Sequence, residues 1–538
     1  HCGVVWLTVL EAGLRRNDVQ AGGREGLERG HQFGGVHERG TGTLVTGGEG
    51  ERAYVLEAGD YILSLRTDSH TVAEGVAPIT YTVDQTVVYS GDNKRASDKT
   101  EVTNQFDDVS EAFVDAPQEG KILNMSRADF AGTFPTAPTK DMLQASDATA
   151  EGFKPYDAKA AAAAFDGKAP AMGKDTDLTL VDLRGLTIDD PKWDELLDSL
   201  TLDEMTTMLL NGAYQTAAIV SIAKPMTVEL DGPAGFSSFI NTSINGTAYP
   251  SEYLIAQTWN VDMAEAMGAM VGNESLFKDV SGWYAPALNL HRSPFAGRNF
   301  EYYSEDPFLS GAMTLAASNG AATKGLYTTL KHFAINDQET NRVNNGIATW
   351  ANEQVIREIY LKPFEMAIKN IEMTVPYIAD ENGTIEETQV GSTAVMSSFN
   401  RIGATWAGGS VPLMDTVLRG EWGFEGFVIS DFNLYRYMNP NQSINAGTDL
   451  TLTFAPSKSF DDTKSALAQT DIRKATHNIL YTVANSSAMN GFAPGDTVSF
   501  TPPTWRYIQI GASVAFGLLI AAGAVMVARR VSKHGKSA

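Results

Sequence analysis

Residues from about 178 to 490 are predicted to form an α/β fold, a parallel sheet covered by helices that is either open or closed into a barrel. Short apolar runs recur at 226–230, 283–290, 327–330, 394–399 and 427–429. Segments with helical spacing of apolar residues separate or precede them, at 194–210, 261–277, 313–322, 352–371 and 413–422. Alternation of this kind is the signature of βα units. The third observation is chemical: each apolar run is followed by residues that carry chemistry.

The elements before this region are weaker. The first fifty residues are glycine-rich, hold interspersed Arg and Glu, and show no sustained period, so 1–50 reads as an irregular segment of doubtful fold. Residues 51–90 read as β-strands. Tyr54, Leu56, Tyr61, Leu63 and Leu65 alternate around Gly59-Asp60, a hairpin signal, and Tyr81, Val83, Val87, Val88 and Tyr89 suggest a further strand. Residues 91–177 are rich in Ala, Asp, Thr and Pro and read as a linker wrapping the next domain.

After the α/β region, 491–506 reads as a proline-bearing spacer with Pro494, Pro502 and Pro503. Residues 507–528 form an apolar run without a charge. At ~1.5 Å per residue it spans the ~30 Å hydrocarbon core of a bilayer. Trp505 and Tyr507 stand at one end and Arg529, Arg530, Lys533 and Lys536 at the other. The positive-inside rule places the tail 529–538 in the cytoplasm and the body outside, on a single-pass anchor in the cell membrane. A buried core helix would also be apolar, but it accounts less well for Gly511, Gly517, Gly523 and the basic cluster.

Composition narrows the function. The 538 residues carry 41 basic and 65 acidic side chains, a net charge of −24, with 43% hydrophobic and 20% charged residues. That is globular composition. Its sign disfavours nucleic acid and suits a neutral ligand. A lone cysteine, Cys2, excludes an intrachain disulfide and cysteine-based metal centres, and the eight histidines have no metal-ligand spacing. Neither a GxSxG turn nor a GxxxxGKS loop occurs, so no cofactor, metal or nucleotide is expected.

In a barrel of βα units the carboxyl ends of the strands converge on one face. The apolar runs would deliver there Asp231 with Gly232-Pro233, then His291, Arg292 and Arg298, then Lys331-His332, then Phe399-Asn400-Arg401, and finally Asp431. Charged donors and acceptors with aromatic walls fit a polyhydroxylated neutral ligand. Each residue has a plainer explanation. Asp231 could be a turn residue, Arg298 a structural partner of Glu301 or Glu305, His332 a satisfied core histidine and Asp431 a helix cap. Their coincidence at one end of five strands favours a site.

At these motifs the chain resembles glycoside hydrolase family 3, the β-glucosidase family. The resemblance rests on Asp231-Gly232-Pro233-Ala234-Gly235, Gly297-Arg298-Asn299-Phe300-Glu301 with Ser304-Glu305-Asp306-Pro307, Lys331-His332-Phe333, Glu339-Thr340-Asn341-Arg342, Ser430-Asp431-Phe432 and Gly447-Thr448-Asp449-Leu450. It covers roughly 178–452 and implies a (β/α)8 TIM-type barrel over 178–490. The stretch Phe399 to Trp406 looks like the branch with inverted domain order, so 51–90 would be part of a fibronectin-like β module. The family implies retaining hydrolysis of terminal non-reducing β-D-glucosyl residues in a β-linked oligosaccharide or glycoside, with β-xylosidase as the alternative. Asp431 would be the nucleophile. Asp231, Arg298, Lys331, His332, Arg342 and Phe399 would bind the sugar. A nucleophilic carboxylate must be ionised, so the nearby cations are expected to lower its pKa.

Three departures from the family pattern stand out. Ser237 and Ser238 stand where an Arg is common, Phe399 stands where Tyr is common, and the domain that supplies the acid/base glutamate is not found. With His1 rather than Met at the start, the chain reads as truncated at its N-terminus. A local acid could come from Asp380, Glu381, Glu386 or Glu387, although an acidic run is usually a solvated loop. Without an acid, the rival reading is an inactive, membrane-anchored sugar-binding remnant.

Overall fold

The computed structural model describes residues 3–6, 53–65, 71–91, 99–106, 109, 147–238, 241–342, 344–380, 382–391, 393–454, 457–499, 501 and 504–534. The chain divides into two compact units, His1–Gly495 and Asp496–Ala538.

The first unit opens with small sheets. β1 (Gly3–Trp6), β3 (Gly59–Ser64) and β4 (Ile79–Val83) form one, and β2 (Tyr54–Leu56) pairs with β5 (Val87–Tyr89) in another. The expected hairpin at Gly59-Asp60 does not form. Gly59, at φ +132°, carries the chain from one sheet into the other, and each strand pairs with a later partner. Leu56, Tyr61 and Val83 bury one shared apolar face. The rest of the segment 1–50 lies outside the described residues.

The stretch read as a linker is stitched to the α/β body. The Gln105 and Phe106 amides donate to the Glu353 carboxylate. Phe106 is buried in an apolar cluster that also contains Leu361, Phe364 and Val417 of the body. Further along, the Arg401 guanidinium lies 4.6 Å from the centre of the Phe153 ring.

The body is built on five parallel strands: β6 (Glu229–Asp231), β7 (Gly282–Tyr284), β8 (Tyr327–Phe333), β11 (Ala394–Ser397) and β12 (Phe427–Ser430), in the order β12-β11-β8-β7-β6. All seven residues of β8 are buried, as a central strand with both faces covered requires. The ladder holds five strands where eight were expected. Extended single segments continue it: Glu229 N–H donates to Tyr214 O, Gly212 N–H to Thr451 O, and Ser430 N–H to Leu450 O. Backbone hydrogen bonds thus run from β6 through 212–214 and 450–451 to β12.

The helices follow local signals. The period over 194–210 predicts one helix, but there are two, α1 (Pro191–Ser199) and α2 (Leu202–Leu209). Thr201 and Glu204 form a capping box that starts the second, a stop-and-start signal stronger than the continuing apolar period. α3 (Val261–Lys278) and α4 (Pro307–Ala322) pack backbone to backbone. A Cβ on Gly268 would meet Ala317 O at 1.9 Å, and one on Gly320 would meet Glu265 O at 2.1 Å. After α5 (Lys362–Ile368) comes a hairpin of β9 (Met373–Ile378) and β10 (Ile385–Val390), which leads into β11.

The second unit contains α6 (Thr504–His534). Its residues 504–532 are long and apolar enough to cross a membrane, and they contain an 18-residue window of mean hydropathy 2.3 in which no residue is buried.

Candidate active site

The carboxyl ends of β6, β8 and β12 bring Asp231, Lys331, His332 and Asp431 together, while Arg292 pairs with Tyr360 and Arg401 holds the Asn345 and Ala404 carbonyls. Asp231 ends β6, Lys331 and His332 lie near the carboxyl end of β8, and Asp431 directly follows β12. Asp231 makes a turn contact and an ion pair. Its Oδ1 accepts the Gly232 N–H at 2.7 Å, a turn contact, and also lies 2.5 Å from Lys331 Nζ. Asp431 is no helix cap. Its Oδ1 accepts the Phe432 N–H at 2.7 Å and its N–H donates to Ser397 O at 2.9 Å, which ties it to β11. Its Oδ2 is buried 3.7 Å from His332 Nε2 and has no hydrogen-bond partner among the described residues.

Three cations and three carboxylates interlock around this point. Arg298 makes a bidentate pair with Glu301 at 2.6 and 2.7 Å, and Glu301 also reaches Lys331 Nζ at 3.3 Å. Glu339 Oε2 lies 2.9 Å from Arg342, while its Oε1 lies 3.8 Å from Arg298. Arg342 in turn covers the Phe399 ring at 4.5 Å, the geometry of a cation–π contact. Glu301 and Glu339 hold the cations in place, and neither was singled out as a site residue. The signal was available, because each lies three residues from its arginine.

Charge states follow from burial. Burial opposes ionisation of Glu301, but Lys331 and Arg298 outweigh it and hold its pKa at about 2. For Lys331 the loss of hydration is overcome by Asp231 and Glu301, so it stays protonated. Burial, reinforced by Arg298, Lys331 and Arg342, pushes His332 well below its ordinary range, and the ring is neutral. The expectation for Asp431 is overturned. Burial raises its pKa to about 6, although Arg298, the Phe432 N–H, Arg342 and Lys331 pull the other way. The cations are already engaged by three other carboxylates, so their attraction does not repay the lost hydration.

Two further residues escaped the sequence reading. Tyr214 sits on the connecting segment between β6 and β12, its ring 5.7 Å from that of Tyr284. Burial, with Asp231 and Asp431 adding, raises its pKa to about 12. Asp337 has a pKa raised to about 6 by burial and accepts a hydrogen bond from Tyr360. No motif marks either position. Ser237 and Ser238 serve the loop: the Ser237 N–H donates to Asp231 O and the Ser238 N–H to Asn245 Oδ1.

Of the hairpin acids, Glu381 lies outside the described residues, and Asp380, Glu386 and Glu387 stand on a hairpin away from the site. The β9–β10 hairpin leads into the amino end of β11, opposite the end that Asp431 follows. Asp380 is used by its turn, accepting from the Asn382 and Thr384 N–H groups and from the Thr384 hydroxyl, which lowers its pKa. Glu386 accepts from the Tyr377 hydroxyl at 2.9 Å.

Residues 196–377 match the glycosyl hydrolase family 3 N terminal domain. Over these residues the chain is similar to family 3 glycosyl hydrolases. A beta-glucosidase of Rhizobium radiobacter is 35% identical to it over 263 residues, covering 48% of this chain and 29% of the relative. Beta-glucosidase A of Butyrivibrio fibrisolvens is 33% identical over 270 residues, covering 50% and 30%. The chain thus spans under a third of the length of these curated relatives. A crystal structure of a beta-glucosidase from Paenibacillus barengoltzii matches 83% of this chain and 46% of its own, with a TM-score of 0.60 and 23% identity, and so shares the α/β fold.

Proposed function

We propose that the chain carries the nucleophile half of a retaining β-glucosidase. Asp431 would attack the anomeric carbon of a terminal non-reducing β-D-glucosyl residue, forming a glycosyl ester as the bond to the leaving oxygen breaks. Water would then cleave the ester and release the sugar with its configuration retained. Asp231, Arg298, Lys331, His332, Arg342 and Phe399 would hold the sugar. Asp231 has one carboxylate oxygen left for hydroxyls, and its side chain is 45% exposed. The observation that carries the reading is Asp431 Oδ2, a buried carboxylate oxygen without a hydrogen bond among three cations. β-Xylosidase activity is the alternative within the family, since these motifs do not separate a sugar with a C6 hydroxymethyl from one without it.

A second reading, a sugar-binding remnant without an acid, has its own support. The carboxylates at the rim, Asp231, Glu301 and Glu339, are each taken by a cation, and the hairpin acids lie at the other end of the strands. A glycoside with a very acidic phenol hardly needs a general acid. Dinitrophenyl β-glucoside should therefore label Asp431 covalently, while cellobiose is turned over poorly. An unlabelled Asp431 overturns the nucleophile, and rapid cellobiose turnover overturns the missing acid.

The domain plan is proposed on the same footing: a partial fibronectin-like module at 51–90, an eight-stranded barrel over 178–490, a spacer at 491–506, an anchor at 507–528 and a cytoplasmic tail at 529–538. The backbone path through 212–214 and 450–451 supports closure. The unburied apolar stretch of α6, with aromatic residues at one end and Arg529 and Arg530 at the other, supports an anchor with the body outside the cell.

A further inference from the structure

Behind Asp431 stands a run of buried polar groups whose donors and acceptors can be assigned one after another. It begins at Glu339, a carboxylate between Arg342 and Arg298 that can only accept. Asn336 Nδ2 lies 3.5 Å from Glu339 Oε1 and 3.4 Å from the Tyr302 hydroxyl. The carboxylate fixes the amide with its NH2 toward both, so the Tyr302 oxygen accepts and its own hydrogen is free to point elsewhere. His332 Nδ1 lies 3.2 Å from that hydroxyl. Asn289 offers His332 a competing arrangement. Its Oδ1 accepts the His332 backbone N–H at 2.8 Å and stands 3.4 Å from Nδ1, so a proton on Nδ1 would also find an acceptor. The hydroxyl decides between the two: with Tyr302 donating, Nδ1 is bare and the single proton of the neutral ring sits on Nε2.

We infer that Tyr302 is a positioning residue for the nucleophile: its hydroxyl donates to His332 Nδ1, fixes the Nε2–H tautomer and so aims an N–H at Asp431 Oδ2. Among the described residues, that oxygen has no hydrogen-bond donor, His332 Nε2 stands 3.7 Å from it, and both Tyr302 and His332 are 2% exposed, so water does not substitute. Arg298, Lys331 and Arg342 face both His332 and Asp431, while Tyr214 and Tyr437 also face Asp431. Removing one hydroxyl at Tyr302 leaves all of these in place, along with the ring beside Arg298. The catalytic part of the inference rests on Asp431 being the nucleophile; the tautomer does not.

The test is Tyr302→Phe, read in two ways on the full chain. Nitrogen NMR of labelled histidine reports the tautomer directly, and the His332 signal is the one lost in His332→Asn. Nε2–H in the wild type and Nδ1–H in Tyr302→Phe are expected. In the variant a bare nitrogen then faces Asp431, and the acid limb of covalent labelling by dinitrophenyl β-glucoside moves up by about one pH unit. A wild-type Nδ1–H signal overturns the inference, whether or not any variant folds. An unchanged tautomer or an unchanged acid limb in a folded Tyr302→Phe overturns it as well. If the wild type is never labelled, the nucleophile reading fails, and the tautomer measurement still decides the hydrogen-bond chain.

Discussion

His332 Nε2 stands 3.7 Å from Asp431 Oδ2, and the imidazole between Tyr302 and the carboxylate is neutral. A neutral donor supports a carboxylate without neutralising it, so Asp431 keeps the pKa of about 6 that burial gives it. Attack needs the ionised form. The rate of glycosyl-enzyme formation from dinitrophenyl β-glucoside should be flat above that value and fall about tenfold per pH unit below it. Stopped-flow release of dinitrophenol over pH 4–8 measures this, and a flat profile down to pH 4 would contradict it.

The same burial predicts that losing the nucleophile strengthens the fold. The folded pKa of Asp431 lies above the ordinary 3.8, so between about pH 4 and pH 6 the folded state holds more proton than the unfolded one. Stability therefore falls as pH rises through that window. Asp431→Asn removes the penalty and should be more stable than the wild type at pH 7 by about 1–3 kcal/mol, the two converging near pH 4. Denaturant melts at both pH values check it, and labelling should be abolished in the same variant.

Glu301 has the opposite sign. Its pKa is held at about 2, below the ordinary 4.5, so its contribution is present above pH 4.5 and is lost as pH falls toward 2. Glu301→Gln leaves Arg298 and Lys331 short of a partner charge. It should destabilise the chain by about 2–4 kcal/mol at pH 7 and weaken sugar binding. Thermal melts and glucose titration test both.

Much of this site was legible in the sequence, and the limits are physical. The strands announced themselves because buried parallel strands are apolar runs, and polar residues directly after them mark the rim. Lys331, His332 and Asp431 were found this way. Tyr302 and Tyr214 were not, since a tyrosine beside a carboxylate looks the same in sequence as one in a core. The sign of the Asp431 shift was missed because it depends on how many carboxylates share three cations, which only the folded geometry counts.

The hairpin acids should be silent. Asp380→Asn and Glu386→Gln alter side chains at the amino end of the strands, and labelling rates should stay within about twofold of the wild type. A tenfold loss in either would return the acid role to this hairpin.

The anchor can be separated from the body. The full chain expressed in cells should stay with membranes through an alkaline carbonate wash, whereas a chain ending at Gly495 should be found in the soluble fraction. Equal extraction of the two would rule out the anchor.

The contact of α3 with α4 limits how this pocket can change. At Gly268 and Gly320 main chain meets main chain, with no room for a methyl group. These helices flank β7 in sequence and α4 leads into β8, the strand that carries Lys331 and His332. The helix spacing is therefore set by backbone thickness and not by side chains that mutation can trim or enlarge. New sugar preferences would have to arise by exchanging rim side chains and loops over a scaffold that cannot breathe at that seam, which makes its evolvability local.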